Sequence, residues 1–128
     1  MQPFRPRGAA APSLKNINAD TIRRAEEAVG RLAEQYKGWV RGDIEKLREC
    51  LSAAASGGDA RTEAFKQIRA IAHDMRGQGT TFGYPLITRV AKSISHLLKD
   101  ATDGDAAVAE LTAHVAAIEA IIDQDAAD

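Results

Sequence analysis

The residues best suited to chemistry in this 128-residue chain lie between Ile71 and Gly83, where one histidine and one arginine lie among three glycines. An exposed imidazole can accept a phosphoryl group when a group that stabilises the anion lies near it. His73 and Arg76 are three residues apart, about one helical turn, so the guanidinium can meet an anion attached to the ring. The pair therefore predicts a site that handles an anionic group.

The helical periodicity of the same segment predicts that His73 faces solvent. At 3.6 residues per turn the apolar residues share one arc, and His73 lies roughly 140° from the centre of that arc. Gly77 lies one turn after His73, although a glycine inside a helix costs about 0.5–1 kcal/mol relative to alanine. We interpret Gly77 as room for a second molecule to approach the imidazole. The predicted buried arc consists of Phe65, Ile68, Ala72, Met75 and Gly79, with Ala64 and Ile71 at its edges.

Most exposed histidines on helices are ordinary surface residues, so the alternative hypothesis is a non-catalytic helical adaptor in which His73 is incidental. The chain offers two internal comparisons, His96 on the polar side of its helix and His114 near the border of an apolar stripe. Neither has a glycine one turn later, and both are predicted to be structural or solvated. Histidines and carboxylates do not recur at the spacing of metal ligands, so no metal site is predicted.

The residues around His73 together resemble the motif of the histidine-containing phosphotransfer (HPt) family. That motif is a small residue, the histidine, any residue, an aliphatic residue, Lys or Arg, and glycine, followed by small residues and a glycine ten positions after the histidine. The matching positions here are Ala72, His73, Met75, Arg76, Gly77, Gly79 and Gly83. The close resemblance extends from Ile68 to Leu98, and the rest of the chain matches only as helical pattern.

The resemblance implies a function for the site residues. His73 would accept a phosphoryl group from the aspartate of a receiver domain and relay it to another receiver, as a phosphoryl carrier without autokinase activity. Arg76 would orient the phosphate or screen its charge, while Gly77 and Gly83 would allow the receiver to approach closely. HPt proteins often carry a glutamine on the facing helix near the histidine, and Ser95 takes that position here as a candidate second-shell contact.

The resemblance also implies the partners. These are the receiver domains of response regulators and a hybrid histidine kinase, and the Mg²⁺ required for transfer belongs to the receiver, so that the bundle has no cofactor of its own. An autokinase fragment is disfavoured because the chain has no Gly-rich phosphate loop and no room for a nucleotide-binding domain. We expect a monomer.

Composition narrows the remaining function classes. The chain is 45% apolar and 27% charged, and its formal net charge of -1 argues against a nucleic-acid partner. No apolar run approaches the roughly 18 residues that a membrane helix needs. Cys50 is the single cysteine, which fits a reducing compartment, and no apolar segment follows Arg5 and Arg7 as a secretory signal would require. The expected location is cytoplasmic.

The first element that must position the site is a long helix from about Ala19 to Ala55, with Asp20 as its N-cap. Gly38 and Gly42 flank the centre of its apolar stripe, so we predict either a bend between them or two shorter helices. Trp39 and Tyr36 are predicted to be core aromatics and not a binding platform. The stripe consists of Ile22, Ala25, Val29, Leu32, Tyr36, Trp39, Val40, Ile44, Leu47 and Leu51.

Three further helices are predicted, and with the first they make an all-α, up-and-down antiparallel four-helix bundle. The second begins after Asp59 as its cap and ends near Thr80; the third begins at Pro85 and ends near Lys99; the fourth spans about Ala106 to Asp123. The third is predicted to bury Leu86, Val90, Ile94, Leu97 and Leu98, and the fourth Val108, Leu111, Val115, Ile118 and Ile122.

The ends of the chain are predicted to lie outside the bundle. Three of the four prolines fall before Asn16, so residues 1–18 are predicted to form a mobile tail. Residues 19–123 would form the HPt-like bundle, and residues 124–128 a frayed acidic end.

Overall fold

A computed structural model of the chain describes residues 18–125, and four helices account for nearly all of them. They are α1 (Ala19–Ala54), α2 (Gly58–Gly79), α3 (Pro85–Asp100) and α4 (Gly104–Asp123). No strand occurs within 18–125. The predicted all-α, up-and-down antiparallel four-helix bundle is confirmed. The predicted tail, apart from Asn18, and the last three residues of the acidic end lie outside the described residues.

The chain divides into two compact units, Met1–Arg31 and Leu32–Asp128. In the first unit the described residues form only the beginning of α1, and its Ile22 and Val29 are 49% and 65% exposed. The prediction that these two side chains are buried is wrong, because a single helix has no second element against which to bury its stripe. Asp20 lies in the first turn, and the cap is Asn18, whose Oδ1 accepts from the Thr21 amide at 2.9 Å.

Within the second unit, α1 is one helix and not two, and the predicted bend near Gly38 to Gly42 is not confirmed. The prediction that Leu32 and Trp39 are buried is wrong, since their side chains are 46% and 51% exposed. The buried residues of α1 are Tyr36, Val40, Ile44, Leu47, Cys50, Leu51 and Ala54. This face lies toward the other helices, and Arg41 and Arg48 pair with Asp123 and Glu119 of α4 at its edge.

The predicted arc of α2 is confirmed at its centre. Phe65 and Ile71 are only partly buried. The α2 residues in the core of the second unit are Ala64, Ile68, Ala72, Met75 and Gly79.

On α3 the buried stripe is shifted from the predicted one, because Leu86, Val90 and Leu97 are only half-buried. α3 packs against both α2 and α4, so its buried face lies between these two contacts. It consists of Ile87, Thr88, Ala91, Ile94 and Leu98.

The N-cap residues define where α2 and α4 begin. The N-cap of α2 is Gly57, at φ 72°, and the prediction of Asp59 is wrong because that residue already lies in the first turn. Asp103 caps α4, and its carboxylate accepts from the Asp105 and Ala106 amides at 3.0 and 3.2 Å. α4 therefore starts two residues before the predicted Ala106, and it buries Ala107 more deeply than the predicted Val108.

Four aromatic residues, here called the aromatic cluster, join α1 to the connection between α2 and α3. Tyr36 stacks on Phe82 with ring centroids 4.9 Å apart and lies 5.6 Å from Tyr84, while Trp39 meets Phe82 edge-on at 5.8 Å. Tyr36 is fully buried as predicted, and burial raises the pKa of its phenol well above the usual value. The Tyr84 hydroxyl donates to the carboxylate of Asp125, which also pairs with Lys37 at 3.1 Å.

The end of α2 and the start of α3 approach each other closely. The Tyr84 amide donates to the Gly79 carbonyl at 2.7 Å. A Cβ added to Gly79 would lie 2.8 Å from the Thr88 amide nitrogen and 2.9 Å from the Tyr84 carbonyl oxygen. Real Cβ atoms essentially never come so close to backbone atoms, so only glycine fits at this position.

Gly79→Ala is therefore expected to destabilise the protein by about 1–3 kcal/mol, the usual cost of overpacking. Gly77→Ala is the matched control two residues away, because its added Cβ meets nothing within 4 Å. That variant should be more stable by about 0.5–1 kcal/mol, since alanine is the better helix former. Urea denaturation of both variants measures the difference, and shifts of the same sign would refute the account.

Candidate functional site

His73 lies on the exposed side of α2, while Ala72 and Met75 on the same helix are buried. The orientation predicted from the helical wheel is confirmed. Arg76, one turn later, is also exposed. The helix thus presents a nucleophilic ring and a guanidinium to solvent on neighbouring positions, which is the arrangement that an anion-handling site needs.

Gly77 and Gly83 leave open space next to this helix. A Cβ at either position would meet nothing within 4 Å, so contacts among the described residues do not require glycine at Gly77. Gly83 differs because its φ of 88° lies in the left-handed region that favours glycine. It ends the turn after α2, where its amide donates to the Thr80 carbonyl at 3.2 Å.

Thr88 binds the backbone at the carboxyl end of α2, and this role was not predicted from the sequence. Its buried hydroxyl donates to the Arg76 carbonyl at 3.2 Å and accepts from the Thr80 amide at 2.9 Å. The backbone that carries Arg76 is therefore fixed by a side chain of α3. The signal in the sequence was a lone threonine within the apolar start of α3, and only the packing of α3 on α2 gives it a partner.

Ser95, the candidate second-shell residue, is half-buried on α3. Its hydroxyl donates to the Ala91 carbonyl of its own helix at 3.3 Å. Among residues 18–125 the Ser95 side chain forms this one hydrogen bond, which lies within α3 and does not reach His73.

A groove of about 400 Å³ runs between α1 and α2. We call it the α1–α2 groove. It is formed by Gly38, Trp39, Gly42, Asp43 and Lys46 of α1 and by Asp74 and Gln78 of α2. Asp74 directly follows His73, and Gln78 directly follows Gly77. The prediction of Trp39 as a core aromatic did not anticipate this groove.

The α1–α2 groove is acidic. Asp43 is half-buried, and burial raises the pKa of its carboxyl, helped by the negative charge of Asp74 and opposed by Lys46. Of its three charged residues two are carboxylates, and neither forms an ion pair with another residue of the described chain. Lys46 offsets one of the two carboxylates, so the groove keeps a net negative charge that favours a further cation.

The other two histidines are placed differently. The ring of His114 lies between α3 and α4, with Nε2 2.7 Å from Ser93 Oγ and Nδ1 2.6 Å from the Glu110 carbonyl. Both of its nitrogens are therefore engaged, as expected for a structural histidine. His96 is exposed on α3, as predicted.

The described residues contain no group of three or more His, Cys, Asp or Glu side chains that could hold a metal ion. No helix between residues 18 and 125 is long and apolar enough to cross a membrane.

Comparison with known protein families gives one match that covers most of the chain. The family model of the Hpt domain matches residues 20–127, most of the chain. Neither the curated proteins nor the solved structures give a significant match. The matched range contains all four helices and the whole segment around His73. The chain belongs to the Hpt domain family.

Proposed function

We propose that the protein is a phosphotransfer protein of two-component signalling that accepts a phosphoryl group on His73 from the aspartate of one receiver domain and relays it to another. The observation that carries this proposal is the exposed His73 at the histidine position of the family motif, one turn before a glycine with open space above it. The alternative, a helical adaptor with an incidental histidine, predicts no covalent chemistry.

In the proposed step, the lone pair of one imidazole nitrogen forms the N–P bond while the P–O bond to the receiver's aspartate breaks. The aspartate leaves as a carboxylate, and the reverse step passes the phosphoryl group to a second receiver. Such a reaction depends mainly on positioning and on stabilising charge. Mg²⁺ is expected in the partner's receiver domain, and the bundle contributes His73 as the nucleophile and Arg76 as a cation.

His73→Gln is expected to abolish phosphoryl acceptance and leave the fold intact, because substitutions at exposed positions usually change stability by less than about 0.5 kcal/mol. The measurement is incubation with a phosphorylated receiver, followed by a test for label that is labile to acid and stable to base. His96→Gln is the matched control on another exposed histidine and should keep full labelling. Labelling of His73→Gln at the wild-type rate would favour the adaptor.

Arg76→Ala should slow the transfer without stopping it, since it removes the neighbouring cation and leaves the nucleophile. The expected loss is about 10- to 1000-fold, the range seen when one stabilising donor is removed. Lys99→Ala, which removes an exposed cation in the last turn of α3, is the control and should transfer at close to the wild-type rate. If both variants keep that rate, Arg76 has no part in the transfer.

Gly77→Leu should weaken receiver binding more than it affects folding. A leucine side chain one turn from His73 would fill the space that the receiver needs, yet leucine is a better helix former than glycine by nearly 1 kcal/mol. Receiver affinity and melting temperature are measured on the same sample, with Gly77→Ala as the smaller comparison. A variant that binds normally but melts lower would show that Gly77 serves internal packing.

A further inference from the structure

We propose that the α1–α2 groove selects the receiver, by taking a surface that presents a lysine or arginine to Asp43 and Asp74 and an apolar side chain to Trp39. The inference rests on the proposed function and adds the chemistry by which one receiver is preferred over another. The occupant is therefore a basic and partly apolar patch on a receiver domain.

The groove is lined in part by the helix that carries His73. Asp74 and Gln78 line the groove and directly follow His73 and Gly77 along α2. A stable protein interface covers roughly 800 Å² of each partner, so a receiver centred on the exposed imidazole extends over neighbouring residues of α2 such as Asp74. Its side chains then either pair with the carboxylates of the groove or cover the half-buried Asp43 without adding a cation.

The groove also carries a net negative charge. Asp43 and Asp74 contribute two negative charges to the groove, and Lys46 is the one cation among the residues that line it. Asp43 is half-buried, so a carboxylate there is already partly removed from water. A lysine or arginine from the partner would relieve this repulsion, whereas an acidic residue would increase it. Complementary charge of this kind gives specificity and a faster encounter more than it gives raw affinity.

The groove also has space for a side chain from a partner. Gly38 and Gly42 lie one turn apart on α1, and a Cβ at either would meet nothing within 4 Å. Packing against the described residues thus does not require glycine at either position, although each glycine weakens the helix by about 0.5–1 kcal/mol relative to alanine. The two bare positions keep the floor of the groove open for a side chain from outside.

Trp39 supplies the apolar part of the surface. It is 51% exposed, and its ring is held edge-on against Phe82 at 5.8 Å. A large aromatic side chain that is held in place before binding loses little freedom on binding, and tryptophan is among the residues most often found to dominate interface energies. Trp39 is also the single tryptophan of the chain, so its fluorescence reports on this groove alone.

The experiment uses the full chain and a receiver domain without tryptophan. Labelling of wild-type His73 by that receiver is established first; affinity is then measured by calorimetry, and Trp39 emission is followed in parallel. The groove variant Asp43→Asn/Asp74→Asn is compared with Glu45→Gln/Glu63→Gln, which changes the net charge equally at exposed positions of α1 and α2. We expect the groove variant to bind about 5- to 30-fold more weakly at low ionic strength and the control to bind within about twofold of wild type.

Two further measurements identify the partner chemistry. Asp74→Lys should bind poorly, and exchanging one lysine or arginine of the receiver for glutamate should restore its binding. Trp39→Ala should lower affinity about tenfold or more, as measured by calorimetry, while its melting temperature stays near that of wild type.

The outcomes separate the two proposals. If His73 is labelled but the groove variant binds like its control and Trp39 emission is unchanged by the receiver, the groove has no part in selection and the proposed function still holds. If no phosphorylated receiver labels His73, the proposed function fails and the selection inference fails with it.

Discussion

The contact between the end of α2 and the start of α3 is the constraint on which the geometry of the site depends. Gly79 lets the two backbones meet, and the Tyr84 amide closes the contact with a 2.7 Å hydrogen bond to the Gly79 carbonyl. Thr88 then holds the Arg76 carbonyl and the Thr80 amide from the facing helix. The helical turn that carries Arg76 is therefore fixed at its backbone, which leaves the exposed side chains of His73 and Arg76 on a rigid support.

The site also shows a division between glycines that the fold needs and glycines that it does not. Gly79 is required by its neighbours, and Gly83 by its positive φ. Gly38, Gly42 and Gly77 have open space above them, and each costs helix stability without an internal return. All three lie on the two helices that flank the α1–α2 groove. Such a pattern is expected where natural sequences lose some stability in exchange for access to a functional surface.

Periodicity was sufficient for the helices and for the orientation of His73, since both follow from local geometry. It failed where burial depends on what lies opposite: Ile22 and Val29 continue the apolar stripe of α1 but have no second element among the described residues of their unit. It also failed at Trp39, which lies between Tyr36 and Val40 in sequence yet lies at the border of the buried face. Thr88 and Asp43 could not be identified from sequence, because their partners are on other helices.

The hydrogen bond between Tyr84 and Asp125 joins the end of α4 to the connection that follows α2. Tyr84 is the N-cap of α3 and is also bonded to Gly79, the last residue of α2. Lys37 of α1 pairs with the same carboxylate, so α1, the connection and the segment after α4 meet at one acidic side chain. Tyr84 thus connects Asp125 to Gly79 through two hydrogen bonds, so a displacement of Asp125 would be passed on to the last turn of α2, the helix of His73.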